Sequence, residues 1–505
     1  MPKKYILEIT VFISGGLVMV YEIIGSRVLA PFIGTSTYIW TSLIGVILGA
    51  LSLGYWIGGR TADRNPEIKI LSLVIFLAGG LVSVTTLIKD VVLSFIAAAQ
   101  MPLEIRSLIA AAILFAPASV ALGFVTPYAV KLKTVSLADS GKTVGSLFAF
   151  STVGSIVGTF AAGFFLIPFV GSVRTLYIIS GGLIILGLLL VPFTISRTTI
   201  AVIIVFILGI AASEFSVAEL RAANGLYDID TEYSRVRVFQ TIDPRNNKPI
   251  TTLATDPYFT QSAIYLDSDE RVLEYSRFYH LASYYKPDLK KALMIGGAGY
   301  TFPREFLRTY PASTIDVAEI DPGMTEIAKR FFRLNDDARM KIMHADGRVF
   351  LNAEEVNKYD VVFVDACNSL FSVPYQLTTR EAVRQIDRVL KPDGVVLFNL
   401  VGSSIRGSAS QFLQAEYRTY ADVFPVVDLY KVNSDFPDER VQNLLIAASK
   451  NNAPRSSPVD PETTELLSHR YANPFPLDAA SLSDDLAPVE YYNSIALNFY
   501  SREHR

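Results

Sequence analysis

Apolar segments long enough to cross a bilayer recur throughout the first 215 of the 505 residues. A helix needs about 20 apolar residues to span the hydrocarbon core of a membrane. A shorter run at 91–100 is either a further element or an interfacial helix. Segments of spanning length lie at 5–25, 38–58, 69–88, 104–130, 143–168, 173–193 and 198–214. Residues 1–215 are therefore predicted to form an integral membrane helical domain of seven or eight spans.

The first apolar segment is not expected to be a cleaved signal peptide, because it lacks a small-residue cleavage site and further spans follow it. Glycine and other small residues are dense in GVILGALSLGYWIGG and GSLFAFSTVGSIVGTFAAGFF. Small residues let the backbones of membrane helices approach closely. We therefore expect close helix packing at these two segments.

From residue 216 onward the chain has the mixed charge of an ordinary globular domain. The formal net charge is −3, and no basic block carries interleaved aromatic residues, so nucleic acid is not an expected partner. The single cysteine, Cys367, excludes an intrachain disulfide framework. The four histidines, at 280, 344, 469 and 504, show no metal-ligand spacing. No metal site is predicted.

A short β-structured region is expected directly after the membrane domain. The segments YSRVRVFQT and KPITTLAT alternate apolar and polar residues, and the turn-forming DPRNNK joins them, which predicts a β-hairpin. A helix-like segment, DERVLEYSRFYHLASYY, follows. Residues 216–290 are therefore predicted to form a β-hairpin region and a linker helix.

A repeating strand–helix pattern starts at residue 291, and such alternation predicts an α/β Rossmann-like domain over 291–505. In parallel sheets of this kind the ligand lies outside the carboxyl ends of the strands. The glycine-rich turn IGGAG, which contains Gly296, Gly297 and Gly299, follows the first of these strands. Glycines there let the backbone approach a ligand.

Acidic residues follow the next three predicted strands. Glu319 lies about 20 residues beyond the glycines, the offset at which an acidic side chain accepts both ribose hydroxyls. ADG (345–347) ends the third strand and VDACN ends the fourth. A strand-end aspartate often only caps the following helix, so Asp365 is either a catalytic base or the polar end of a buried strand. Four such features in order predict a nucleotide-binding site.

The order of these motifs resembles the membrane-fused spermidine synthase-like (polyamine aminopropyltransferase) family from about 228 to 450. FTQSAIYL, VPYQLTTREAV and the N-terminal YEIIGSRVLAPFIGTSTYIWTSLIGVILGALSLGYWIGGRTADR also match it. The resemblance implies a transferase of polyamine biosynthesis with an S-adenosylmethionine-transferase type fold. It would transfer an aminopropyl group from decarboxylated S-adenosylmethionine to an amine acceptor.

The resemblance also implies roles for single residues. Gln261 matches the glutamine at the nucleoside end of the cofactor, and Glu319 matches the ribose ligand. Asp346 with Gly347 matches the adenine contact, beside the glycine turn at 296–299. Asp365 matches the aspartate that accepts a proton from the incoming amine.

The predicted substrate-binding residues are Tyr275, Ser276, Asn368 and Phe436, and here the chain departs from the family. Gly299 and Asn368 stand where the family carries aspartates, and Phe436 stands where it carries a tyrosine. The two absent carboxylates would hold the positive ends of a diamine. Burying an unpaired ammonium is costly, so the acceptor is expected to differ from a plain diamine.

Other functions stay open from the sequence. One is a methyltransferase that uses S-adenosylmethionine itself on a membrane-associated substrate. Another is a transporter or receptor with a nucleotide-binding domain. The acceptor is an amine or another small molecule, the lipid bilayer is a partner, and a homodimer is left open.

Two considerations about membrane sidedness oppose each other. Lys and Arg concentrate at Lys3, Lys4, 60–69 and in the segment 131–142, which predicts that these loops are cytoplasmic. Seven spans would then place residues 216–505 outside, whereas eight would return them to the cytoplasm. Because the adenosyl cofactor is an intracellular molecule, we predict a multi-pass inner-membrane protein with a cytoplasmic catalytic domain.

Overall fold

The computed structural model describes residues 5–503 except 35, 100, 135, 137–138, 192–196, 256–259, 367–372 and 452–459. The chain divides into two compact units, Met1–Arg235 and Val236–Arg505.

The first unit is built from helices. They span Ile6–Ile33 (α1), Thr37–Arg64 (α2), Ile68–Ala98 (α3), Leu103–Leu114 (α4), Ala116–Gly123 (α5), Val125–Lys133 (α6), Ser140–Ala161 (α7), Ser172–Leu190 (α8) and Arg197–Asn224 (α9), and a π-helical segment, Ala162–Val170, continues α7. Among the described residues, five helices are long and apolar enough to cross a membrane. They are Ile6–Ile33, Thr37–Arg64, Ile68–Ala98, Ser140–Val170 and Ser172–Leu190, and the bent pair Leu103–Leu114 with Ala116–Lys133 makes a sixth if it is one span.

Two predicted segments differ from the structure. The segment 69–88 and residues 91–98 of the run 91–100 belong to one helix, α3, because the sequence between them contains no Gly or Pro that would end it. The run 91–100 is therefore neither a separate element nor an interfacial helix. The predicted span 104–130 is bent by 52° between Leu114 and Ala116, where Pro117 at the start of α5 cannot donate a backbone hydrogen bond.

Small residues bring α1 and α7 into backbone contact. A Cβ atom added at Gly154 would lie 2.0 Å from the carbonyl oxygen of Phe12, and one added at Gly158 would lie 2.2 Å from that of Gly16. Real Cβ atoms do not approach backbone oxygens this closely, so only glycine fits at both positions. This contact agrees with the close packing predicted for the second glycine-rich segment.

Polar contacts mark the two ends of the helical unit. At one end, Lys133 pairs with Glu8 near the start of α1. Near the other end of the same helix, Arg27 donates to the carbonyl oxygen of Glu232 over 2.6 Å. Glu8 and Arg27 are 19 residues apart on α1, which corresponds to about 28 Å at 1.5 Å per residue. Residue 232 therefore lies at the end of this unit opposite Lys133.

A four-stranded sheet follows the helices, in the order β1–β2–β3–β4. Its strands are Tyr227–Asp230 (β1), Arg235–Ile242 (β2), Pro249–Ala254 (β3) and Thr260–Tyr265 (β4). Strands β2 and β3 pair in antiparallel register, and the turn between them is closed by a 2.9 Å hydrogen bond from Asp243 N to Lys248 O. The predicted hairpin is present as part of this larger sheet.

The second unit contains a sheet whose seven described strands have the order β10–β11–β9–β8–β5–β6–β7. Strands β5 to β9 are parallel, whereas β10 and β11 are antiparallel to their neighbours. The strands are Lys291–Ile295 (β5), Thr314–Glu319 (β6), Met340–His344 (β7), Tyr359–Val364 (β8), Leu390–Ser403 (β9), Val426–Lys431 (β10) and Gln442–Ser449 (β11). The predicted α/β Rossmann-like fold of this part of the chain is confirmed.

Helices connect and cover these strands. The α-helices are Ala282–Tyr285 (α10), Thr301–Thr309 (α11), Pro322–Phe331 (α12), Gly347–Ala353 (α13), Arg380–Val389 (α14), Gln411–Ala421 (α15), Pro461–Ser468 (α16) and Val489–Glu503 (α17). The 3-10 helices are Glu274–Leu281, Tyr375–Leu377 and Ser408–Ser410. The predicted linker helix is thus a 3-10 helix followed by the single α-turn α10.

The strand order reverses beside β5. The chain builds β5, β6 and β7 in one direction and then returns to place β8 on the other side of β5. Such a reversal opens a crevice at the carboxyl ends of the two central strands. The residues directly after β5 and β8 are therefore the ones that the fold places at a ligand site.

Candidate active site

The backbone joins the ends of β5 and β8 tightly. Ile295 is in register with Val364, and the amide of Asp365 donates to the carbonyl oxygen of Ile295 over 2.9 Å. Gly296 has a φ of +93°, and a Cβ there would lie 2.4 Å from the carbonyl oxygen of Asp365. Both the left-handed backbone and the close approach require glycine. The glycine turn and Asp365 therefore form one structural feature.

Among the described residues, Tyr275 and Asn399 donate hydrogen bonds to the carboxylate of Asp365. The Tyr275 hydroxyl donates to Oδ2 over 3.0 Å, and Asn399 Nδ2 donates to Oδ1 over 2.8 Å. Burial raises the pKa of Asp365 above its ordinary value, and the hydrogen bonds from Asn399 and Tyr275 offset part of that rise. A carboxylate with a raised pKa in a crevice is suited to accepting a proton.

Asp365 lines a crevice that is open to solvent. Its lining combines uncharged polar groups with apolar side chains and the glycine turn. The lining residues are Gln261, Ser262, Leu273, Tyr275, Ser276, Met294, Gly296, Gly297, Ala298, Thr301, Phe302, Pro303 and Asp365. Six of the residues predicted from the sequence are thereby brought to one place: Gln261, Tyr275, Ser276, Gly296, Gly297 and Asp365.

The carboxylate of Glu319 accepts hydrogen bonds from the backbone of the glycine turn. Its Oε2 accepts from the amides of Gly297 (2.8 Å) and Ala298 (3.0 Å), and its Oε1 accepts from the amide of Asp321 (2.9 Å). Burial raises the pKa of Glu319, while these backbone donors oppose the rise. A carboxylate offers about four acceptor sites, so three bonds leave one for a ligand. The predicted contact with ribose stays a prediction.

The third glycine of the turn is packed against β4. The amide of Gly299 donates to Ser262 Oγ over 2.9 Å, and a Cβ at Gly299 would lie 2.6 Å from Ser262 Cβ. The described packing therefore has no space for a side chain at position 299.

Asp346 and Gly347 form the start of α13. Asp346 Oδ1 accepts from the amides of Arg348 (2.9 Å) and Val349 (3.0 Å), which is an N-cap. A Cβ at Gly347 would lie 2.6 Å from Ile295 Cγ2, so glycine lets the helix pack on the end of β5. Both residues have a structural role, and their predicted contact with adenine stays a prediction.

Two predicted substrate residues are not part of the described crevice. Phe436 lies in the connection between β10 and β11, where the guanidinium of Arg440 is 3.8 Å from the centre of its ring. Asn368 lies outside the described residues. Their predicted roles in substrate binding stay predictions.

Asn399 and Ser262 are site residues that the sequence argument missed. Asn399 is the one polar residue in the apolar run VVLFNLV of β9, and it is only 2% exposed. An amide in the middle of a buried strand is a signal that could have been noticed, because a buried polar group needs a partner. Ser262 follows Gln261 and carried no comparable signal.

The chain is similar in sequence to known proteins. Residues 272–433 match the spermine/spermidine synthase domain. The polyamine aminopropyltransferase of Vibrio vulnificus is 27% identical over 38% of this chain and 64% of its own length. Polyamine aminopropyltransferase 1 of Streptomyces coelicolor is 22% identical over 418 residues, covering 78% of this chain and 75% of that protein.

The Streptomyces alignment is longer than the second unit, so it extends into the helical part of the chain. Among solved structures, a probable spermidine synthase from Corynebacterium glutamicum superposes with a TM-score of 0.40. That match has 21% identity and covers 48% of this chain and 86% of the other. Residues 272–433 of the chain therefore carry a spermine/spermidine synthase domain, and the similarity to polyamine aminopropyltransferases indicates a transferase enzyme.

Proposed function

We propose that this chain is a membrane-bound aminopropyltransferase in which Asp365 accepts the proton of the incoming amine. The observation that carries the proposal is the position of Asp365. Its carboxylate is held by Tyr275 and Asn399 at the crevice where β5 and β8 end, beside the glycine turn. A general base must lie within hydrogen-bond reach of the attacking group.

The proposed reaction balances without a metal ion. The amine nitrogen forms a bond to the aminopropyl carbon next to the sulfonium of decarboxylated S-adenosylmethionine. The carbon–sulfur bond breaks, its electron pair stays on sulfur, and methylthioadenosine leaves as a neutral thioether. Asp365 takes the proton that the amine loses. The protein supplies placement and electrostatics, since the sulfonium is already a good leaving group.

The proposed cofactor residues fit an adenosyl group. Gly296 and Gly297 let a ligand approach the backbone at the crevice, and Gln261 lies beside them. Glu319 has one acceptor site left for a hydroxyl, and Asp346 has an oxygen that the helix cap does not use. Gly299 and Gly347 take part by keeping the turn and α13 close to this crevice.

The acceptor is proposed to be an amine other than a plain diamine. Among the described residues that line the crevice, Asp365 is the single carboxylate. A second ammonium in that crevice would lack a charged partner, which is unfavourable. Tyr275 and Ser276 line the crevice and are the proposed contacts, with Asn368 and Phe436 as further candidates.

A second candidate is methyl transfer from S-adenosylmethionine itself. The packing of Gly299 against Ser262 favours it, because an acid at position 299 would sit where the family meets the aminopropyl ammonium. Without that acid, a cofactor that still bears its carboxylate meets less repulsion. The products distinguish the two reactions, since methyl transfer yields S-adenosylhomocysteine.

We further propose that the helical unit lies in the inner membrane, with the lipid bilayer as its partner. Its exposed faces carry large apolar side chains, for example Trp56, Phe95 and Phe169, which suit a lipid environment. We place residues 236–505 on the cytoplasmic side because the adenosyl cofactor is found there. Residue 232 and Lys133 lie at opposite ends of the helical unit. The positive-inside rule alone would place the basic Lys133 end in the cytoplasm, which is the opposite orientation.

Calorimetry on the purified full chain tests the adenosyl site. Methylthioadenosine and S-adenosylhomocysteine are titrated separately into wild type and into Gly297→Val, which would fill the turn. Binding of either thioether to wild type, and loss in the variant, supports an adenosyl-dependent transferase. Failure of both thioethers to bind would instead favour a transporter or receptor.

A further inference from the structure

Asn399 is a buried amide whose presence packing alone does not explain. It lies in β9 between Phe398 and Leu400, and all three are at most 2% exposed. Its Nδ2 donates to Asp365, whereas its Oδ1 is buried without a hydrogen-bond partner in the described part of the chain. A buried amide oxygen left unpaired is destabilising. A residue that costs stability here is expected to contribute something else.

Strand register explains how Asn399 reaches Asp365. Val364 of β8 is paired with Phe398 of β9, so the next residues along, Asp365 and Asn399, are neighbours across the two strands. The amide has to present nitrogen to the carboxylate, because two oxygens at 2.8 Å would repel each other. The orientation of the amide is therefore set by the charge of Asp365.

We propose that Asn399 is a positioning residue that keeps Asp365 ionised and directs the proton to Oδ2; this rests on the proposed function of Asp365 as proton acceptor. An amide nitrogen can only donate, so its bond to Oδ1 favours the carboxylate without a proton. The Tyr275 hydroxyl on Oδ2 can both donate and accept. The Tyr275 hydroxyl can therefore rotate and accept a hydrogen bond from Oδ2 once Oδ2 is protonated. Asn399 Nδ2 cannot accept such a bond from Oδ1.

Within the described part of the chain, few other titratable groups face Asp365. From the 3-10 helix, the hydroxyls of Tyr275 and Tyr279 lower its pKa, and from β9 the uncharged Asn399 does so. From β5, the contact is made by the backbone of Ile295 and Gly296. Tyrosine hydroxyls titrate far above neutral pH. A change in the pH profile near neutrality would therefore report on Asp365.

The test compares the pH dependence of methylthioadenosine formation in wild type, Asn399→Leu and Asn399→Asp. In Asn399→Leu the ascending limb of the pH profile of kcat/KM should move to higher pH by about one unit. At pH values below the limb, kcat/KM should therefore fall about tenfold. In Asn399→Asp the limb should move further, because repulsion between two adjacent carboxylates opposes the ionisation of both and raises the pKa of Asp365. Ser403→Ala is the control, since the hydrogen bonds of Ser403 go to the backbone of residues 404, 409 and 413. Its limb should not move.

A uniform loss of rate at every pH, with the limb unmoved in both Asn399 variants, would overturn the proposal in favour of a structural role. Affinity for methylthioadenosine checks that each variant is folded. Infrared titration of the carboxyl stretch, with an Asp365→Asn difference spectrum, measures the protonation of Asp365 without turnover. If wild type forms no product with any amine, the proposed function fails, and this titration still decides the role of Asn399.

Discussion

The hydroxyl of Tyr275 donates a 3.0 Å hydrogen bond to Oδ2 of Asp365 and thereby joins the 3-10 helix Glu274–Leu281 to the end of β8. The two residues are 90 positions apart in the chain. Tyr275 is only 9% exposed, and its ring packs edge-on against Tyr279 with the centroids 5.9 Å apart. The helix therefore supplies one wall of the crevice and a hydrogen-bond donor to the carboxylate of Asp365.

Tyr275→Phe should shift the pH profile of product formation. Burial raises the pKa of Asp365 and the Tyr275 hydrogen bond lowers it, so removing the hydroxyl should raise the pKa further. The base is active when it is ionised, so activity rises as the pH passes through this pKa. The variant should therefore reach half of its maximal activity at a higher pH than wild type. Tyr491→Phe, at an exposed position on α17, is the control. An unmoved limb would show that Tyr275 does not tune Asp365.

Asp365→Asn should lower the rate of product formation by at least about 100-fold, because a general base contributes about 10² to 10⁴. Its affinity for methylthioadenosine should stay close to that of wild type, since amide and carboxylate have the same shape. Product analysis and calorimetry on the same preparation measure both quantities. A variant as active as wild type would remove Asp365 from the chemistry.

Gly296→Ala should damage both stability and activity. The substitution strains a φ of +93° and pushes a Cβ into the carbonyl of Asp365. Gly407→Ala is a matched control, because Gly407 has a φ of +85° but open space around its Cβ position. The backbone strain alone is about 1–3 kcal/mol. Thermal denaturation should show a larger loss for Gly296→Ala, with loss of product formation in that variant only.

Glu305 should stabilise the fold in a pH-dependent way. Burial would raise its pKa, but hydrogen bonds from His280 (2.8 Å) and Arg271 outweigh burial and lower the pKa to about 2. A carboxylate with a lowered pKa stabilises the fold above its unfolded pKa, near 4.5, and that stabilisation is lost as the pH falls toward 2. Glu305→Gln should therefore lower the unfolding free energy at pH 7 by about 2 kcal/mol.

Denaturant unfolding of the full chain at a series of pH values measures this effect. The difference between Glu305→Gln and wild type should shrink steadily below pH 4.5. A difference that is the same at pH 7 and pH 3 would show that the charge of Glu305 does not contribute.

Labelling of single cysteines tests the side of the membrane. In a Cys367→Ser background, Val356→Cys places a thiol on the second unit, where Val356 is 58% exposed, and Pro66→Cys places one in the exposed turn after α2. With a membrane-impermeant maleimide on intact bacterial cells, the thiol at position 356 should be protected, whereas the thiol at position 66 should react, because the turn after α2 lies at the Lys133 end of the helical unit, where Lys131 pairs with Asp63. Both thiols should react after lysis. Labelling of position 356 in intact cells would contradict a cytoplasmic transferase.

The fold was predictable where local pattern decides it. The strand–helix repeat after residue 291 and the glycine turn at 296–299 both follow from short stretches of sequence. The helix α3 was divided in the prediction because Lys89 and Asp90 interrupt the apolar run, although nothing there stops a helix. Apolarity thus identified the segment but did not fix where the helix ends.

The contacts of the site were less predictable because they depend on partners far apart in the chain. Asn399 meets Asp365 only through the register of β8 and β9. Glu319 was predicted from its position in the sequence, but its hydrogen bonds with the amides of Gly297 and Ala298 depend on the folded turn. The space at Gly299 is likewise decided by Ser262 on another sheet. Residue types were visible in the sequence, but their pairings were not.

The central claim is that the crevice at Asp365 transfers an aminopropyl group to an amine. Purified full chain and its Asp365→Asn variant are incubated with decarboxylated or ordinary S-adenosylmethionine and a panel of monoamines, diamines and lipid extracts, and the products are identified by mass spectrometry. We predict methylthioadenosine and an aminopropylated amine from the decarboxylated cofactor with wild type alone. Formation of S-adenosylhomocysteine from the ordinary cofactor, without methylthioadenosine, would contradict aminopropyl transfer.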